Sequence, residues 1–262
     1  MPSHLSTLGF DVHTHEDFVS LAKQVADDAE EIAAEGGRYL RWRGSAGQEL
    51  WLQVGAEGSL VGMVPHFASG RSSVRVRVEA HIHRPKESTL DGALHAWALP
   101  PEDTEPPLDP ELEGLYPFVF DTPDAATYSS LELPARVSAE IAAFAHQIEA
   151  FESPDVFDLA QQDPGLRMAS QSFIPSGLFS PDGERTEPPE AYALFTGHVV
   201  DAGLLENSLT GLGFYWVLVD TLGGRYDVCV DRSLLPSAPA RGSIVQGSFW
   251  LSGRLALGRG AA

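Results

Sequence analysis

The chain has 262 residues, long enough for one large domain or two modest ones, each with its own core. With 43% hydrophobic and 21% charged residues its composition is that of an ordinary globular protein, and no apolar run approaches the roughly 18 to 20 residues that a membrane span needs. The net charge of −20 is distributed as 9 basic against 13 acidic residues in 1–99, 0 against 6 in 100–114 and 8 against 18 in 115–262, so no stretch offers the Lys and Arg excess that nucleic-acid phosphates or an anionic membrane surface require.

The first residues, MPSHLSTLGFDVHTHED, carry neither a basic n-region nor an apolar h-region, so no signal peptide is expected. The single cysteine, Cys229, excludes an internal disulfide and fits a reducing, cytoplasmic setting.

In chain order, HLSTLGFDV (4–12) reads as a strand. Thr14 then caps a run with apolar residues at 18, 21, 22, 25, 26, 29 and 32, which is helical spacing ended by Gly36-Gly37. Strands follow at 38–43, 49–54, 59–64 and 73–82. In the last, Val74, Val76, Val78, Ala80 and Ile82 alternate with polar residues, giving one buried face. The stretch PPEDTEPPLDPELEG (100–114), with five prolines and six acids, reads as a stiff acidic linker. It divides a β-α-β-β-β unit (1–99) from a second domain (115–262), and a shorter stretch of the same kind at 180–190 reads as a loop.

In the second domain, PARVSAEIAAFAHQIEAF (134–151) permits a helix through its alanines, yet Val137, Ala139 and Ile141 alternate with polar residues, and the segment is taken as a strand. Ser153-Pro154-Asp155 opens a short helix to about Gln162. Further strands are expected at 166–174, 191–200, 213–221, 225–231 and 243–255, with Gly223-Gly224 as a two-residue hairpin turn. The expected fold class is therefore α+β, with a mostly antiparallel, OB-like β-barrel at the C-terminal end.

Chemistry-bearing motifs are sparse. Nucleotide-loop, hydrolase-elbow and zinc-protease signatures are missing, and TGLG (210–213) and GGR (223–225) lack the strand-to-helix context of a phosphate loop. His81 and His83 lie i, i+2 and share one face of a strand, where a third ligand such as His95 would complete a metal site. The alternative is a solvated polar face beside Arg75 and Arg77. His13 and His15 fall at a strand-to-helix turn beside acids. His146 and His198 sit mid-strand and read as structural, as does Cys229, which has no basic neighbours to activate it. Pro65 predicts that the chain leaves the sheet at His66, whose side chain either caps a carbonyl or lines a cleft with Glu49 and Trp51. In SFWLSGRL, Trp250 and Arg254 offer a stacking platform for a small aromatic or sugar ligand, unless Phe249 and Leu251 simply pack in the barrel.

Six blocks, ELWLQV, MVPHF, AAFAH, SFIPSGLFSP, TEPPEA and IVQGSFWLSGRL, resemble the signature segments of a bacterial protein family of unknown function over nearly the whole chain. The N-terminal half also resembles the glyoxalase/bleomycin-resistance/dioxygenase (vicinal oxygen chelate) superfamily. That resemblance implies a divalent metal held by a first-strand His and a later-strand Glu, here His4 and Glu49, although Glu49 falls on the third strand and no second repeat is visible. The leading expectation is a non-catalytic binding or interaction protein for a small molecule or a protein partner, with no cofactor. A metal-dependent enzyme of the vicinal oxygen chelate type is the alternative.

Overall fold

The computed structural model describes residues 3–85, 87–101, 114–161, 167–178 and 187–257. Most of the expected acidic linker, the tip of the 180–190 loop and the start of the strand expected at 166–174 lie outside them.

The expected first strand is a 3-10 turn, Ser6–Leu8. Local bonds take up the groups a strand ladder would need: Ser6 N–H donates to Ser3 Oγ, and the Thr7 hydroxyl donates to the His4 carbonyl at 2.7 Å. Gly9, at φ 74°, closes the turn. Helix α1 spans His15–Ala26 with a complete capping box, in which the Thr14 side chain accepts from Asp17 N–H and the Asp17 carboxylate accepts from Thr14 N–H. It ends ten residues before Gly36. Residues expected to continue it form strand β1 (Glu30–Ala34), which pairs antiparallel with β2 (Gly37–Arg43) and places Ile32 opposite Tyr39. Pairing across a tight turn, with Gly36 at φ 82°, prevails over helical spacing in this segment.

Strands β3 (Gln48–Gly55) and β4 (Leu60–Phe67) complete a four-stranded antiparallel meander, β1-β2-β3-β4. Pro65 does not end β4, which runs on through His66 to Phe67. It is tolerated because β4 is the edge of its sheet, where a missing N–H breaks no ladder. One face of the meander carries Leu50 and Leu52 and meets α1, whose Leu21, Ala22 and Val25 are buried. The opposite face carries Tyr39, Glu49, Trp51 and His66.

Strands β5 (Ser73–Ile82), β6 (Ala93–Ala98), β7 (Tyr116–Asp121), β8 (Ala135–Phe151), β9 (Ser172–Ile174), β10 (Tyr192–Glu206), β11 (Gly213–Thr221), β12 (Gly224–Val230) and β13 (Ile244–Ala256) form the second sheet. Its order is β11-β12-β8-β5-β6-β7-β13-β10-β9. Residues 135–151 are a strand, as expected. The short helix α2 (Pro154–Ala160) is capped by Ser153 and buries Phe157 against Phe151. Strand β5 does not complete an N-terminal unit: it pairs with β8, Val74 opposite Ala139. The two sheets therefore divide between Phe67 and Ser73, well before residue 99.

The architecture is α+β and mostly β, in two sheets. Strands β8 and β13 pair from Ser138–Ala256 to Phe151–Ile244 and form the long ribbon at its centre. On β13, Phe249, Trp250, Leu251 and Leu255 all belong to the main core. Alternation along the strand puts Phe249, Leu251 and Leu255 on one face and Trp250, Ser252 and Arg254 on the other. That second set builds the site described next.

Candidate functional site

Four of the residues singled out in the sequence, Glu49, Trp51, His66 and Arg254, meet in one buried network between the meander and β13. Glu49 and His66 are cross-strand partners on β3 and β4, which puts both side chains on one face. The Glu49 carboxylate is inaccessible to solvent and accepts from Arg43 Nε at 2.7 Å and from Trp51 Nε1 at 2.9 Å. Arg254 approaches its other side at 4.0 Å, stacks over the Trp51 ring at 4.6 Å and donates to Asp124 Oδ2 at 2.9 Å. Burial works against charge on Glu49, but His66, Arg254 and Arg43 outweigh it and hold the carboxyl below the usual glutamate range. Asp124 goes the other way: burial raises it despite Arg254.

His66 Nδ1 is hydrogen-bonded to Ser252 Oγ at 2.9 Å. Burial depresses its pKa to about 4, with Glu49 pulling upward and Arg254 and Arg43 adding to the depression, so the ring is neutral at pH 7. A serine, a histidine and a carboxylate side by side have the composition of a nucleophilic triad. All three are inaccessible, however, so no substrate reaches them. Between Ser252 and Arg254 stands Gly253, where a Cβ would lie 2.6 Å from Phe120 Cδ2. Sequence reasoning missed Arg43, Asp124 and Ser252. The last was legible, since Ser252 alternates between Trp250 and Arg254 in SFWLSGRL.

Trp250 and Arg254 do not form a shared stacking platform. The Trp250 indole donates to Asp121 Oδ2 at 2.7 Å, and its face is covered by the His4 ring, 4.1 Å away and 4° from parallel. His4 Nε2 in turn meets His146 Nε2 at 2.9 Å. His4 thus sits at Trp250 while Glu49 sits at Arg254, four residues along β13 or about 13 Å of strand, and the two do not converge on a common metal. Among the described residues, no group of three or more His, Cys, Asp or Glu side chains is placed to hold a metal ion.

A second region is open. His81 and His83 line a hollow of about 440 Å³ together with Glu35, Thr89, Asp91 and Thr122. Their rings are 6.5 Å apart and 16° from parallel. Burial, and then the neighbouring His83, lower the pKa of His81. Its Nε2 is shielded from solvent without a hydrogen-bond partner. His95 does not join them: it pairs with Ala80 whereas His81 pairs with Leu94, so it stands on the opposite face of the sheet. The Asp91 carboxylate is already engaged by Gln53 Nε2 at 2.6 Å and by Ser88. Among the described residues no helix is long and apolar enough to cross a membrane.

Comparison with protein-family models, with curated proteins and with solved structures finds no match to this chain.

Proposed function

We propose that the protein is a non-catalytic binding protein that takes a small molecule in the hollow lined by His81 and His83. One observation carries this reading: a cavity in the ligand-sized range, walled by Gly92, Ala93, Ala125 and Ala126, gathers two imidazoles, two threonine hydroxyls and two carboxylates on its lining. Two imidazoles and the hydroxyls of Thr89 and Thr122 supply the hydrogen-bonding edge. The carboxylates of Glu35 and Asp91 disfavour an anion, so the ligand is an uncharged or cationic polar molecule. The net charge of −20 supports the same choice over a nucleic acid. Cys229, single and buried, supports a cytoplasmic setting. An OB-like barrel reading of the C-terminal strands is supported by pairings that run β8-β13-β10-β11-β12 and return to β8.

The test is a thermal-shift panel of nucleosides, neutral sugars, polyamines and small carboxylic acids. Wild-type protein is expected to be stabilised by members of the first three classes and not by the acids. Thr89→Trp, which fills the mouth of the hollow, is expected to remove the effect. A panel with no stabilising compound, or a shift that survives Thr89→Trp, overturns the assignment.

A further inference from the structure

The His4–His146 pair lies apart from that hollow. His4 is held in three ways: its ring is stacked on Trp250 at 4.1 Å, its carbonyl accepts from Thr7, and its Nε2 faces the Nε2 of His146. Trp250 is itself fixed by Asp121, which Arg84 engages from the other side at 2.8 Å. The two imidazoles are 12° from coplanar, with centroids 5.1 Å apart and facing nitrogens 2.9 Å apart. Those values place the two nitrogens nearly on the line between the ring centres, so the in-plane lone-pair direction of each ring points at the other.

Beside the pair opens a cleft of about 310 Å³, lined by His4, Tyr192, Trp250 and four ionisable residues, Arg84, Glu87, Asp121 and Glu190. Three carboxylates against one guanidinium, in a chain of net charge −20, make its mouth attractive to cations.

We propose that His4 and His146 form a two-histidine site for a transition-metal cation of the imidazole-preferring kind, zinc, nickel or copper. Metal–nitrogen bonds of about 2 Å at a roughly tetrahedral angle put the two nitrogens about 3.3 Å apart, so from 2.9 Å the facing nitrogens need to part by only a few tenths of an ångström. In the metal-free pair one imidazole donates its Nε2 proton to the other. On binding, that proton moves to Nδ1 of the same ring, both Nε2 lone pairs go to the metal, and no net proton is released. Water completes the coordination from the cleft. Trp250 and Asp121 are positioning residues, since they hold the His4 ring without touching the metal.

The experiment is calorimetric titration of the chain, purified without an affinity tag, with zinc, nickel and copper(II) salts. One equivalent of at least one metal is expected to bind. His4→Gln and His146→Gln should each weaken binding by about tenfold or more, at least what loss of an outer-shell partner produces, while His198→Gln should leave it unchanged. Long-range 1H–15N spectra of the unmutated protein guard against misfolded variants: metal is expected to shift the Nε2 signals of two histidines, which lose those shifts together in competition with a chelator. Absence of stoichiometric binding, binding insensitive to His4→Gln, or shifts confined to His81 and His83 overturns the site.

Discussion

The buried seam along β13 and the hollow beside β5 contain the same side-chain types, imidazoles and carboxylates, in opposite conditions. In the seam, Glu49 and Arg254 are engaged on both sides and solvent is excluded from Glu49, His66 and Ser252. In the hollow, His81, His83, Thr89 and Glu35 line open space. Polar groups enclosed between two layers fix how those layers meet, whereas polar groups that line open space are available to something else. A cluster of reactive-looking residues is therefore informative only together with its access.

The largest expected effect comes from breaking the seam at its centre. Glu49→Ala leaves the buried Trp51 N–H without its acceptor and Arg43 without its carboxylate, while Arg254 keeps Asp124, and should cost about 3 kcal/mol in denaturant unfolding. Gly253→Ala should follow, since its Cβ must displace Phe120. Overpacking of this kind costs about 1–3 kcal/mol, and the measurement is again the unfolding midpoint.

The seam also gives a pH signature. His66 has a folded pKa of about 4 against an ordinary 6.5. Between those values the unfolded chain binds the proton and the folded one does not, so stability rises with pH through this window and falls on acidification. The slope for one proton is at most about 1.4 kcal/mol per pH unit. His66→Gln should flatten the part of the pH 4 to 6.5 profile that His66 contributes, while the other buried histidines retain theirs. The smallest effect belongs to the hollow: His83→Ala, at an exposed and lightly bonded position, should change stability by no more than about 0.5 kcal/mol.

The α1 cap, the strand character of 135–151, the β11–β12 hairpin (its turn at Leu222-Gly223, one residue before the expected Gly223-Gly224) and the gathering of Glu49 with His66 were legible because each depends on neighbours in sequence or on period-2 alternation. Strand β1 was not, because Ala29 and Ile32 extend the helical spacing of α1 and only pairing with β2 decides between the two. Strand β6, ALHAWA, is difficult for a related reason: its alanines make a weak pattern, and its identity comes from β5 and β7 on either side. The role of Glu49 depended on Arg43, Asp124 and Arg254, which approach it from separate elements, so a sequence pattern could mark it as unusual without distinguishing a buried anchor from a ligand. The His4–His146 contact, 142 residues apart, has no local trace at all.

The most direct measurement follows melting temperature with and without a ligand found in the panel, on wild-type protein, His81→Ala and Glu49→Gln side by side. His81→Ala should keep the wild-type melting temperature and lose the ligand-induced rise, while Glu49→Gln should melt well below wild type and keep that rise. The reverse pattern, with binding lost at Glu49 and stability lost at His81, would contradict the assignment of the seam to structure and the hollow to binding.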